Sequence, residues 1–171
     1  MKLIIKPDEH AESPTEWADL NLFLIANHRQ FYVQVPGQKG TLDVQAEIDA
    51  RDSGTATHHV FMLEAYIHSG VRLALRNEGN FCDRQWDVSL VGAVFASVAE
   101  WPEHDAARKA VLQLIATWNQ YLSGDVWGCV IEDDNGNVID SCWGFYGHEY
   151  AQGEGERMLK HAIENGFDPV I

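Results

Sequence analysis

The sequence predicts an α+β fold in which a largely antiparallel sheet is covered on one face by a long amphipathic helix. Three observations carry this prediction. Asn135-Gly136 stands between the β-rich runs VWGCVIE and VIDSCWGF, the strongest short-range hairpin signal in the chain. Residues 58–76, HHVFMLEAYIHSGVRLALR, hold two strand-length apolar runs around Ser69-Gly70 and read as a second hairpin. From Pro102 onward Ala107, Val111, Leu114, Ile115, Trp118 and Leu122 recur at steps of three and four, so residues 103–123 read as a helix closed by Gly124.

The remaining elements follow in chain order. KLIIK at 2–6 suits a short strand. Ser13, Pro14 and Glu16 fit an N-cap, a first helical residue and a capping-box glutamate, which predicts a helix start. LNLFLIAN, residues 20–27, satisfies helix and buried strand equally by periodicity and is read as a short helix followed by a strand. PGQKG at 36–40 breaks the chain, Thr41 caps a helix through DVQAEIDAR, and RDSGTAT is loop. FCDRQWDVS, residues 81–89, reads as a loop or strand entry. LVGAVFASV, residues 90–98, is a buried strand in which Gly92 permits close backbone approach. A last helix covers GERMLKHAIEN and stops at Gly166. With 171 residues, no internal repeat and no dividing linker, one domain is expected.

Turn geometry extends these readings to register. A two-residue loop at Ser69-Gly70 sets Tyr66 against Leu73 and Glu64 against Leu75. Glu64 then lies among Met62, Tyr66 and leucines, a setting that raises a carboxyl pKa unless a partner such as an arginine is present. A type I′ loop at Asn135-Gly136 makes opposed residue numbers sum to 271. Cys129 then faces Cys142 in a non-hydrogen-bonded pair, Gly128 faces Trp143, and Val126 faces Phe145. Cys142, within DSCWGFYG, is on this reading a mid-strand thiol packed on its neighbour. The alternatives are a cysteine nucleophile and a redox-active Cys129/Cys142 pair.

Composition narrows the function classes. Against 26 Asp and Glu stand 12 Lys and Arg, a net charge of −14. Direct binding to nucleic acid or to anionic lipid is electrostatically opposed, and a basic partner is favoured. Three cysteines without CxxC spacing argue against a secreted disulfide framework and a four-thiolate zinc site, which fits a reducing cytoplasm. MKLIIKPDEH has an apolar run of three before charge returns, so neither a signal peptide nor a membrane span is expected there.

Chemistry-bearing motifs are sparse. His58, His59 and His68 with Asp83 or Asp87 offer metal-ligand types, but adjacent strand residues such as His58 and His59 point to opposite faces. EDDNGN resembles a calcium loop only superficially, because aligning Gly136 with the sixth position places Ile131 first. GxSxG, the P-loop and HExxH are absent. No catalytic, cofactor or metal residues are assigned, and a non-enzymatic protein is expected. The enzyme alternative uses Cys142, or His68 with Asp83 and Asp87; an oligomeric structural module would use Trp17, Trp86 or Trp101 as anchors. Carboxylates cluster in DEHAE, EDD and GEGE. The candidate partner-binding residues are therefore Glu132, Asp133, Asp134, Asp140, Glu154 and Glu156, with a merely solvated acidic surface as the alternative.

Several segments together, SPTEW, YIHSG, DRQWD followed by VG, YLSGDVWGCVIEDDNG and DSCWGFYG, resemble a family of small acidic proteins of bacteriophages, prophages and plasmids. The resemblance spans roughly residues 13–147; QFYVQVPGQKG and the final helix lie outside it. The family is largely without an assigned activity, so no catalytic residue carries over. What the resemblance implies is context: an accessory protein of a mobile element, in the host cytoplasm, acting on a host defence protein of the CRISPR or restriction type. The expected partner is a basic nucleic-acid-binding protein, met by carboxylates standing where duplex phosphates would.

Overall fold

A computed structural model describes residues 1–16, 19, 21–34, 44–82 and 84–165. In chain order the elements are β1 (Lys2–Pro7), β2 (Leu22–His28), β3 (Phe31–Val33), α1 (Val44–Ser53), β4 (His58–Ile67), β5 (Val71–Leu75), α2 (Arg84–Asp87), β6 (Val88–Ser97), α3 (His104–Ser123), β7 (Val126–Glu132), β8 (Val138–Tyr146) and α4 (His148–Asn165). The α+β class, the antiparallel pairing and both hairpins are as the sequence predicts. The hairpins are not joined in one sheet, however. The chain divides into two compact units, Met1–Glu12 with Ser123–Ile171 and Ser13–Leu122, and each has its own sheet.

The Ser13–Leu122 unit holds a five-stranded antiparallel sheet in the order β3-β2-β6-β4-β5. On one face α3 contributes Ala107, Val111, Ile115 and Trp118, spaced by four, four and three residues. They pack on Leu24, Phe61, Leu63, Leu73 and Val94. Burial of a side chain such as Val111 or Ile115 contributes about 1.5–3 kcal/mol. The opposite face carries a second cluster in which Phe23 stacks on Phe95 at 5.3 Å, with Val44 of α1 packed against it. Gly92 is required by close approach, since a Cβ there would overlap the Ile25 carbonyl oxygen on the neighbouring strand.

Two expectations on this unit are corrected. LNLFLIAN contains no helix among its described residues and becomes β2. Ser13 opens a turn over residues 14–16, its carbonyl accepting the Glu16 N–H at 2.8 Å and its hydroxyl the Thr15 N–H at 3.3 Å, while residues 17 and 18 of the helix expected there lie outside the described residues. Thr41 and PGQKG lie outside the described residues. The hairpin 58–76 also has a longer loop than expected: Ile67 pairs with Val71, leaving His68, Ser69 and Gly70 in the turn. Adding one residue to the loop moves β5 by one position and so reverses its faces. Glu64 therefore opposes Ala74, and Leu73 and Leu75 join Leu63 and Ala65 in the core, at 5% exposure or less. Burial of two leucines outweighs the preference for a tighter turn. The free edge of β5 is met by Asn119 of α3, whose amide accepts the Leu73 N–H at 2.7 Å and donates to the Leu73 carbonyl at 2.9 Å.

The other unit holds a three-stranded antiparallel sheet in the order β1-β7-β8, with α4 packed on it. The helix begins at His148, earlier than the GERMLKHAIEN segment alone indicates. Its buried positions include Ala151, Gly155 and Ala162, small residues spaced by four and seven along one helix face. A Cβ on Gly155 would stand 2.6 Å from a Leu3 methyl and 3.0 Å from the Cys129 Cβ, so glycine is what lets the helix lie this close. The hairpin 126–145 thus packs against α4, whereas helix 103–123 serves the five-stranded sheet. No helix among the described residues is long and apolar enough to cross a membrane.

Candidate functional site

The tip between β7 and β8 is a longer loop than a type I′ turn. Asp133 N–H donates to the Asn137 carbonyl at 2.9 Å, and Gly136 N–H donates to the Asp133 carbonyl at 3.1 Å. Gly136 has φ +85° while Asn135 is not in the left-handed region. This is a three-residue loop, a type I turn followed by a glycine bulge. The closing pair shifts, yet Ile139 bulges out and Ile131↔Asp140, Val130↔Ser141 and Cys129↔Cys142 follow with the predicted partners. A second bulge at Gly144, φ +83°, shifts the pairing again to Trp127↔Phe145 and Val126↔Tyr146, correcting the expected Val126–Phe145 pair. The freed Gly144 N–H donates to Asp8 Oδ2 at 3.1 Å. The Trp143 indole lies over Gly128, as predicted, filling the space a Cβ there would occupy.

The longer loop also changes the type of the cysteine pair. Asp133 and Asp125 direct backbone groups to the β8 side, through bonds to Asn137 and Gly147, whereas the Val126 carbonyl accepts from Asp8 on the β1 side. Odd-numbered residues of β7 therefore face β8, and Cys129↔Cys142 is a hydrogen-bonded pair rather than the expected non-hydrogen-bonded one. Both thiols are free; Cys129 is buried and Cys142 exposed on the edge strand. Cys129 Sγ contacts Met158 Sδ at 3.3 Å. Burial is the main cause holding the Cys129 thiol pKa above its ordinary value.

The six candidate partner-binding carboxylates all fall in this unit, in different situations. Glu132 is mostly buried and bridged by Lys2 Nζ at 3.0 Å. Asp133 organises the loop, accepting the N–H groups of Asn135 and Asn137 at 2.8 Å and the Asn137 side-chain amide at 2.9 Å. The Asn137 side chain, then its backbone, hold the Asp133 pKa below the ordinary value. Asp140 accepts the Ser141 N–H at 2.8 Å, and Glu154 is bridged by Arg157. Asp134 stays almost wholly exposed although it meets the Met1 ammonium at 2.7 Å, and Glu156 is exposed on α4. Glu9, Glu12, Glu149 and Glu164 are further exposed carboxylates of the same unit. DEHAE signalled the first two, whereas Glu149 belongs to the part of α4 the sequence reading did not assign to a helix.

Charge is unevenly divided. The Met1–Glu12 and Ser123–Ile171 unit carries 13 Asp and Glu against 4 Lys and Arg, a net −9 over 61 residues. Ser13–Leu122 carries 13 against 8, a net −5 over 110 residues. Of the four basic side chains in the acidic unit, Lys2, Arg157 and Lys160 already pair with Glu132, Glu154 and Glu164.

The histidine candidates disperse. His58 sits 3.5 Å from Glu47 beside Phe23 and Phe95, while His59 reaches the Trp101 carbonyl at 2.9 Å on the α3 side, on opposite faces as expected. Burial pushes the Glu47 carboxyl up, but the Thr57 hydroxyl and the N–H groups of His58 and Thr57 hold it below its ordinary value. His68 is brought to 3.5 Å from Asp87; Asp83 lies outside the described residues. Among the described residues no group of three or more His, Cys, Asp or Glu is placed to hold a metal ion.

Glu64 has its arginine. Arg84 Nη2 donates to it at 2.7 Å, joined by Asn77 N–H at 2.9 Å and Gly79 N–H at 3.3 Å. Burial acts upward, but Arg84 and the two backbone donors together bring the carboxyl below its ordinary value, the outcome expected of a buried Glu with an arginine partner. Arg84 also donates to the Gly79 carbonyl at 2.7 Å, so the cluster pins residues 77–79 to the sheet. Of the proposed tryptophan anchors, Trp86 is 80% exposed, Trp101 packs partly buried against the core, and Trp17 lies outside the described residues. Comparison with protein-family models, curated proteins and solved structures gives no match.

Proposed function

We propose that this chain is a non-enzymatic binding protein whose Met1–Glu12 and Ser123–Ile171 unit engages a basic nucleic-acid-binding protein of a bacterial host. The observation that carries the reading is the concentration of net −9 in 61 residues, with most of the local cations already paired. Such a surface repels phosphate and attracts lysine- and arginine-rich channels, with a reach of about 10 Å at 0.1 M salt. The contact set is best drawn from the exposed carboxylates Asp134 and Glu156, extended by Glu9, Glu12, Glu149 and Glu164. Glu132, Asp133, Asp140 and Glu154 support it from positions engaged within the fold. The motif resemblance supports reading the chain as an accessory protein of a mobile element that acts against host defence.

The test is affinity capture from bacterial lysate with the full chain and with a variant carrying Asp134→Asn, Glu149→Gln and Glu156→Gln. The expected result is capture of a nucleic-acid-binding protein, released steeply as salt rises, displaced by duplex DNA and weakened in the variant. Capture indifferent to salt and to neutralisation sinks the electrostatic reading.

A further inference from the structure

We infer that Cys129 and Cys142 form a reversible oxidation site that takes a hydroperoxide as its oxidant and closes to a cross-strand disulfide. The pair is not a lone thiol: the two residues are direct partners in the β7–β8 ladder, so their side chains leave the same face of the sheet. Their situations are complementary. Cys142 is exposed on an edge strand and accessible to a small oxidant, while Cys129 is fully buried, packed on Met158 and Gly155, and shielded from direct attack.

The chemistry balances in two steps. The Cys142 thiolate attacks one peroxide oxygen; an S–O bond forms, the O–O bond breaks and the other oxygen leaves as hydroxide or alkoxide. Cys129 then gives up its thiol proton and attacks the Cys142 sulfur, forming the S–S bond and expelling the oxygen as water. Two thiols lose two electrons and the peroxide gains them.

Geometry makes the bond closable and labile. Cα atoms of a hydrogen-bonded antiparallel pair lie about 5.5 Å apart, inside the range disulfides span. Their Cβ atoms stand at about 5 Å, beyond the roughly 3.5–4.5 Å a disulfide prefers, so closure draws the strands together by about 1 Å. β8 can supply that movement, since it is an edge strand flanked by bulges at Ile139 and Gly144. A strained, partly exposed cross-strand bond is easily reduced again, the property a regulatory pair needs. Closure also takes Cys129 Sγ from Met158, which couples oxidation to the seating of α4.

The test treats the full chain, and a Cys82→Ser variant that removes the other exposed thiol, with hydrogen peroxide followed by alkylation and peptide mapping. The expected product in both is a monomer lacking two hydrogens, with the Cys129 and Cys142 peptides linked and both thiols recovered by dithiothreitol. In Cys129→Ser, Cys142 should instead be trapped as a sulfenic acid by dimedone. The inference is overturned if Cys142 advances to sulfinic acid or forms chain-to-chain dimers while Cys129 stays alkylatable.

Discussion

Replacing Arg84 by Met probes the buried carboxylate of the larger unit. The guanidinium supplies the shortest of three hydrogen bonds to Glu64, whose side chain is 4% exposed against 39% for Arg84. Breaking a buried ion pair by removing one partner costs about 3–5 kcal/mol. Two backbone N–H donors remain and the arginine is partly hydrated, so the expected loss lies lower, at about 2–3 kcal/mol. The sign with pH is specific. In the native chain the Glu64 pKa is depressed, so its contribution is present above the ordinary value of 4.5 and is lost as pH falls through the lower folded value. Without Arg84 only the two backbone donors oppose the upward effect of burial, the folded pKa rises relative to the native chain, and the deficit narrows as pH falls toward about 4. Urea unfolding at about pH 7 and pH 4 measures both quantities, and Glu64→Gln in the Arg84→Met background should recover about 1 kcal/mol at pH 7. A deficit under about 0.5 kcal/mol, equal at both pH values and indifferent to Glu64→Gln, would refute the account of a charge held by its partner.

Further consequences are open to measurement. Asn119→Ala should strip two bonds from the β5 edge, costing about 1–3 kcal/mol in thermal unfolding and speeding Leu73 amide exchange; unchanged exchange would exclude the edge role. Gly92→Ala should be worse than Gly128→Ala, because the first meets the backbone of Ile25 and the second an indole that can swing outward. About 1–3 kcal/mol is expected for Gly128→Ala and more for Gly92→Ala; the reverse order would refute the argument. In the hairpin tip, protection of the Asn135 and Asn137 amides should fall as pH drops through the lowered Asp133 pKa, below its ordinary 3.8, and should already be lost at neutral pH in Asp133→Ala.

Local chemistry made much of this fold legible. Helix 103–123 could be read because its buried side chains are large and regularly spaced, and the two hairpins because β-rich runs flank turn residues. Glycines hid the start of α4: Gly153 and Gly155 are poor helix formers, so the helix predicted from sequence begins only at GERMLKHAIEN. The cysteine partnership was predicted with the wrong loop, since the extra loop residue and the Ile139 bulge cancel in register while the hydrogen-bonding type changes.

For the candidate site, sequence counted charge but not its availability. That the chain is acidic, that carboxylates gather in three runs, and that Cys129 opposes Cys142 all follow from residue order. Which carboxylates stay exposed, and that Glu64 receives Arg84 from 20 positions away, follow only from the folded arrangement. The physical reason is that register, loop length and pairing depend on burial summed over distant strands. Leucines 73 and 75 decide which face Glu64 occupies, and Lys2 and Arg157 decide which acids are neutralised.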